Sequence, residues 1–441
     1  MATHSEGSGP PPAVAASDGA AMAAGGGAVG DAVQGCLLIR TGVFFDGTGN
    51  FRGNVGNEGA SWYTNVDLLQ RVYEENLEDD TEVTFPNGLT RVAKTWSAYH
   101  RGIGIKPGGG AARIRGQGLG VGPEGVDARV KEAVMQLNQE VSQNSGGERP
   151  CDIWIDTFGF SRGATAARDF ANEIHDGAGD NAATTYRQTQ RGRRVDQRGP
   201  KPVVKYMGIF DTVSSVGWPG DMDGTFWVDL TTRGRAESIC HITARDEFRS
   251  NFPLTRAAGR EIAMAGTHGD IGGGWEPGPW SRTFTYENAG VRAGFTQRLI
   301  ADYGVTPNGP PGPGGETLVS VRSTEYVAAP GAMMAAPIEV ENNAFTATAE
   351  HGLQFVSLRL VHHWGIAVGV PFPPELGNSI EGISIAIPGD LQSYFAGLRD
   401  NPGGVSEATH AAMRHKYSHF SVSNSIVNTP EWDGERRSMT L

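Results

Sequence analysis

The chain lacks several things, and each absence narrows what it can be. Nowhere in its 441 residues is there a run close to the ~18 apolar residues that a membrane-crossing helix needs. It is short of cysteine: Cys36, Cys151 and Cys240 are too few for a disulfide scaffold and lack the spacing of a zinc site. Cys151 opens an apolar run and reads as a buried thiol. Basic residues are also in deficit, 37 Lys plus Arg against 49 Asp plus Glu, for a formal charge of −12. Nucleic-acid phosphates would repel such a chain. No basic face is on offer to anionic lipid either, so contact with lipid would have to come from apolar surface. Residues 1–34 contain no Lys or Arg and so lack the positive start of a signal peptide. The expectation is synthesis in the cytoplasm and, if the protein leaves the cell, a route that does not read such a signal.

What is present is 38% hydrophobic residues, enough for one large core, or a core with a small cap. Residues 1–34, rich in Gly, Ala, Pro and Ser, cannot offset chain entropy by burial and are expected to be a disordered arm. Order is expected from residue 36, with a strand over 36–45 that ends at Asp46-Gly47-Thr48-Gly49-Asn50. A helix is expected over 64–75, a strand over 90–99, a helix over 125–138, a strand over 151–159 and a helix over 164–174. Further strands are expected over 202–210 and 260–266. The glycine-dense stretch 108–122 reads as a loop, and so does the basic 187–201. Strands alternating with helices imply an α/β fold with a mainly parallel central sheet flanked by helices. The Pro/Gly-rich 304–315 marks an excursion, so the division is a core over 35–303, an insertion or cap over 304–348, and a C-terminal part of the core over 349–441.

The sharpest signal is Gly159-Phe160-Ser161-Arg162-Gly163, a G-x-S-x-G pentapeptide between a strand and a helix. A nucleophile elbow needs that spacing. The turn is so tight that side chains two residues before and after the serine would collide, and the serine hydroxyl is left standing above the sheet. The backbone N–H of Arg162 and the start of the following helix then suit a developing oxyanion. The loop at Asp46 and Gly47 follows an early strand, which is where a second backbone donor is expected. Such a serine needs a histidine base and an acid to orient it. Asp211 and Asp270 both end expected strands. If the Ser161 strand is the fifth of the fold, they cap the sixth and seventh, and the usual address of the acid favours Asp270. His419, near the C-terminus, fits the chain order serine, acid, histidine; His268, two residues before Asp270, is the alternative base. His362 and His363 read as packed helix histidines. Phe372-Pro373-Pro374 and Tyr394-Phe395-Ala396-Gly397-Leu398 are candidates for an apolar rim or lid, with core packing the favoured reading.

Four segments occur in order: Phe44-Phe45-Asp46-Gly47-Thr48-Gly49-Asn50, Gly159-Phe160-Ser161-Arg162-Gly163-Ala164, Gly208-Ile209-Phe210-Asp211-Thr212-Val213-Ser214-Ser215-Val216-Gly217 and His268-Gly269-Asp270-Ile271-Gly272-Gly273-Gly274. Together they resemble the bacterial α/β-hydrolase family that contains the first class of type VI secretion lipase effectors. The resemblance spans roughly residues 37 to 280, with His419 as an outlying match. It implies a phospholipase of A-type specificity, delivered to rival cells and acting on membrane glycerophospholipids, with no cofactor or metal. It also implies an immunity protein and a secretion-apparatus partner. Carried over, Ser161 is the nucleophile and His419 the base, while Asp211 and Asp270 both lie in matching segments. A soluble esterase on short acyl substrates and a non-catalytic binding module on the same fold are the alternatives. A phosphate binder at 108–122 lacks G-x-x-x-x-G-K-[ST].

Overall fold

The structure is a computed structural model. It describes residues 37–52, 62–77, 82–84, 90–107, 120–145, 150–176, 200–216, 230–288, 292–327, 336–423, 428–430, 436 and 438–440. The arm expected over 1–34 and nearly all of the loops 108–122 and 187–201 lie outside the described residues.

The chain opens on β1 (Leu38–Phe45), buried along its whole length. A strand apolar on both faces is the mark of a parallel sheet covered on both sides. Then come α1 (Asn65–Arg71), β2 (Glu82–Thr84), β3 (Thr90–His100), α2 (Val126–Asn144), β4 (Asp152–Phe160), α3 (Arg162–His175) and β5 (Val203–Phe210). The helix after β1 starts where the side chain of Thr64 accepts the N–H of Asp67, and it ends on Arg71, a capped and charge-matched segment. Beyond β5 follow β6 (Ser238–Ala244), β7 (Leu254–Arg256), β8 (Arg260–Met264) and the short α4 (His268–Gly272).

Seven strands form the central sheet in the order β2-β3-β1-β4-β5-β6-β8. Only the β2–β3 edge pair is antiparallel; the pairs β1–β3, β1–β4, β4–β5, β5–β6 and β6–β8 are parallel. This is the mixed α/β architecture expected from the alternation of elements. Two strands of this sheet were not foreseen: the short edge strand β2, and β6, whose Ser-Ile-Cys-His-Ile-Thr-Ala run lies between β5 and β8. Asp211 therefore ends the strand beside the Ser161 strand, whereas Asp270 follows a strand three places away. At about 4.8 Å per strand that is a separation of roughly 14 Å at the sheet edge.

A second, antiparallel sheet is built from β9 (Trp280–Glu287), β10 (Thr317–Val327) and β11 (Ala336–Ala349), with α5 (Arg292–Tyr303) between its first two strands. Its core gathers Phe284, Phe295, Tyr303, Phe345 and Phe420 around Phe248. The excursion thus begins at residue 280 rather than 304, because β9 supplies an edge of the same sheet. The remaining elements are α6 (Leu353–Ala367), the short pair β12 (Ser379–Ile380) and β13 (Ile383–Ser384), α7 (Gly389–Asp400), α8 (Glu407–Tyr417) and β14 (Ser438–Thr440). His362 is buried on α6, and its Nε2 donates to the carbonyl of Pro373 at 3.0 Å. Phe372 and Tyr394 are buried too, core residues rather than a rim.

Cys151 departs from expectation. It is exposed and disulfide-bonded rather than a buried thiol, because it stands just before β4 at the amino-terminal edge of the sheet, its N–H on the carbonyl of Leu37 at 2.9 Å. Cys240 is the free, buried cysteine.

Inside the sheet, Arg40 of β1 forks onto Asp156 of β4 (Nε to Oδ2 2.7 Å, Nη2 to Oδ1 2.9 Å), and Tyr73 donates to the same carboxylate at 3.1 Å. Both charged side chains are almost fully buried. Replacing Asp156 by Asn leaves the guanidinium uncompensated in a dry site. The expected cost is about 3–5 kcal/mol, read as a lower midpoint in denaturant unfolding.

Candidate active site

The carboxyl ends of β1, β4 and β5 meet at one edge of the central sheet, where open α/β sheets place their ligands. Ser161 stands there between β4 and α3 with φ 59° and ψ −127°, a conformation an L-residue adopts only under constraint. The constraint is visible. A Cβ on Gly159 would lie 2.5 Å from the carbonyl oxygen of Gly163, and one on Gly163 would lie 2.3 Å from those of Phe45 and Asp46. The pentapeptide is thus a true strand–turn–helix corner, and the β1 loop presses directly against it. Arg162 Nε donates to Thr48 Oγ1 at 2.9 Å, a second tie between corner and loop.

Neither expected donor of that loop is turned to a ligand. The N–H of Asp46 is given to the carbonyl of His100 at 3.0 Å, and that of Gly47 to the Asp46 carboxylate at 2.7 Å. Asp46 also accepts from Thr64 (2.7 Å) and Tyr99. Its burial pushes the carboxyl up to about 6, against the pull of those hydrogen bonds.

The four candidate acids and bases form two histidine–carboxylate pairs. In the first, His268 Nδ1 lies 2.7 Å from Asp211 Oδ2. Asp211 sits at φ 39° directly after β5, and its neighbours are strapped to the serine: the N–H of Ser161 donates to the carbonyl of Phe210 (3.1 Å), and that of Val213 to the carbonyl of Ser161 (3.4 Å). The His268 ring packs on that of Phe160, the residue before Ser161, with centroids 4.6 Å apart, and on Phe252 at 4.8 Å. Its backbone N–H is held by Glu247 at 3.1 Å. Burial lowers the affinity of His268 for a proton, a fall that Asp211 only partly offsets. Burial would raise the Asp211 carboxyl, but Arg436 and His268 outweigh it and hold it well below the usual carboxylate range.

In the second pair, His419 Nδ1 lies 2.5 Å from Asp270 Oδ1. Here the carboxylate is committed to local structure: Asp270 Oδ2 accepts the N–H (2.8 Å) and hydroxyl (3.0 Å) of Thr267 and the N–H of His419 (3.0 Å). Thr267 and Asp270 form a capping box on α4. The His419 ring stacks on Trp275 at 4.5 Å with Trp280 at its edge, and its Nε2 is buried without a hydrogen-bond partner among the described residues. Positions two apart on a helix point to opposite sides, whereas those four apart share one. His268 and Gly272 accordingly share the side against Phe160, where a Cβ on Gly272 would fall 2.0 Å from the ring, and Asp270 turns the other way.

Glu247, Arg436 and Asn65 escaped the reading of the sequence. Asn65 Nδ2 donates to the carbonyls of Ile271 and Gln354 and to Ser357 Oγ, at 2.8–2.9 Å, and so pins α4 between α1 and α6. No local pattern marks any of the three. Among the described residues no cluster of His, Cys, Asp and Glu could hold a metal ion, and no helix is long and apolar enough to cross a membrane.

Fold and site together define a mixed α/β protein, a mostly parallel sheet flanked by helices, with a strained serine and two histidine–carboxylate pairs at its carboxyl edge. Residues 172–283 match the family model of the type VI secretion Tle1-like phospholipase effector catalytic domain. That segment contains Asp211, His268 and Asp270. It contains neither Ser161 nor His419. Among solved structures, the Tle1 effector bound to the VgrG spike of the type VI secretion system is similar in fold at TM-score 0.62 and 21% identity, over 92% of this chain and 94% of that one. An uncharacterized protein from Pseudomonas aeruginosa matches at TM-score 0.41 and 18% identity, over 82% of this chain and 51% of that one. No curated protein matches the chain.

Proposed function

We propose that the protein is a serine-dependent carboxylic ester hydrolase, a phospholipase A acting on membrane glycerophospholipids as a type VI secretion effector. The observation that carries the reading is the left-handed Ser161 at the strand–helix corner, one residue from the ring that packs on His268. The match to a phospholipase effector domain over 172–283 supports the substrate class. The likeness to an effector bound to VgrG supports a spike protein as delivery partner. An immunity protein in the producing cell, a route out that needs no signal peptide, and action at the target-cell membrane belong to the same proposal.

Of the two pairs, Asp211–His268 is the one assigned to catalysis. Ser161 attacks the acyl carbonyl and its proton passes to Nε2 of His268, whose Nδ1 is held by Asp211. The imidazolium formed then faces a buried carboxylate, which stabilises it. The proton goes on to the departing alcohol, and water cleaves the acyl-enzyme through the same histidine. The carbonyl oxygen is received by the N–H of Arg162 at the start of α3, where the helix dipole adds to the field. Because the N–H groups of Asp46 and Gly47 are already spent, the β1 loop acts as a wall of the site. His419 is assigned to structure, since its partner Asp270 is spent on Thr267, on the start of α4 and on the His419 backbone.

The test is product analysis on vesicles of phospholipids whose two acyl chains differ. Release of one fatty acid and a lysophospholipid by the wild type, with none by Ser161→Ala, is the expected result. Cleavage of short soluble esters with intact vesicles would sink the phospholipase reading while keeping the hydrolase.

A further inference from the structure

Asp211 meets more than an imidazole. Arg436 lies just before β14 (Ser438–Thr440), which pairs in parallel with β7 (Leu254–Arg256). That pairing carries its guanidinium to the end of β5. Nη1 donates to Asp211 Oδ1 at 3.0 Å and Nη2 to Oδ2 at 2.7 Å, the two-pronged geometry that fixes a carboxylate plane. Nε donates to the carbonyl of Phe252 (2.9 Å) and Nη1 also to that of Ala244 (3.0 Å), so the fork cannot turn freely. The N–H of Ala244 takes the remaining side of Oδ1 at 2.9 Å. Side-chain exposure is 9% for the arginine and 0% for the aspartate.

We propose that Arg436 is a positioning residue for the acid–base relay: it aims Oδ2 of Asp211 at His268 and balances the carboxylate's charge, so that His268 rests as a neutral base. The inference rests on the assignment of Ser161, His268 and Asp211 to catalysis. Around His268, Glu247 holds the backbone N–H and is itself paired with Arg249. Behind Asp211 stand His241 and Glu261, 3.6 Å apart. The acids Asp211, Glu247 and Glu261 therefore face Arg436, Arg249 and an imidazole. Take Arg436 away and His268 faces an unbalanced Asp211, which favours the imidazolium. The acidic limb of kcat/KM must then move to higher pH.

The experiment compares the full chain with Arg436→Gln, Arg436→Lys and Asp211→Asn, each assayed on the same phospholipid vesicles across pH with folding checked by circular dichroism. Arg436→Gln is expected to lower kcat/KM by about ten- to a hundredfold and to raise the acidic limb by about one pH unit. Arg436→Lys keeps the charge but not the fork: its limb should return to within a few tenths of a unit of wild type while kcat stays several-fold low. A folded Arg436→Gln with the wild-type limb and rate overturns the proposal, and so does a lysine variant whose limb moves as far as that of glutamine. Should Arg436→Gln not fold, the lysine variant decides alone, a wild-type kcat overturning the proposal and a low kcat at unshifted limb upholding it. Full activity in Asp211→Asn would instead remove the assignment of the relay itself.

Discussion

Ser161→Ala is expected to reduce ester hydrolysis roughly 10⁵- to 10⁶-fold, the scale seen when the nucleophile of a serine triad is lost, with little change in unfolding midpoint. The hydroxyl is a small part of what holds the corner. The turn is fixed by backbone: the N–H of Ser161 on Phe210, the N–H groups of Ala164 and Thr165 on the carbonyl of Ser161, and the close approach at Gly159 and Gly163. Removing one oxygen leaves these in place, and alanine accepts the same φ at a modest cost. A fluorophosphonate probe should label wild type at Ser161 and leave the alanine variant unlabelled. Activity surviving in the variant would place the chemistry elsewhere.

The second large effect separates the two carboxylates. Asp211→Asn is expected to lower kcat by about 10⁴, because an amide can no longer fix the imidazole tautomer or stabilise the imidazolium. Asp270→Asn should act on stability instead. It replaces an acceptor of five hydrogen bonds, including the capping box of α4, by a group that must present N–H to some of them, an expected loss of about 2–4 kcal/mol. At low temperature, where the variant stays folded, its kcat should lie within about tenfold of wild type. The matching histidine variants should follow the same division, His268→Ala silencing the enzyme and His419→Ala lowering its unfolding midpoint. If His419→Ala is the silent one, the assignment of the pairs reverses.

The parallel sheet and the corner at Ser161 were legible because both depend on local pattern: apolar runs too long to face water on one side, and glycines at two fixed distances from a serine. The partnership of His419 with Asp270 was legible too, and the two are bonded. Strand counting passed over β6. Ser238–Ala244 carries a histidine and two hydroxyl residues among its apolar positions, which break the apolar run that marks the other strands. With β6 unseen, Asp270 falls one strand nearer to Ser161 than it is. A corrective signal was available. Thr267-His268-Gly269-Asp270 has the spacing of a capping box, which assigns the aspartate to its own helix start and sends the histidine to the opposite side. Arg436 offered no such signal, since only the tertiary pairing of β14 with β7 brings residues 211 and 436 together.

That pairing has an effect on timing. A ribosome adding about 5–20 residues per second makes the acid and the base of the site long before the guanidinium that neutralises them. Until residue 436 emerges, the carboxylate at 211 would be enclosed without its counter-cation, a state that costs several kcal/mol. Closure of the β5 end around Asp211 therefore waits on residue 436, which supplies the fork to the carboxylate.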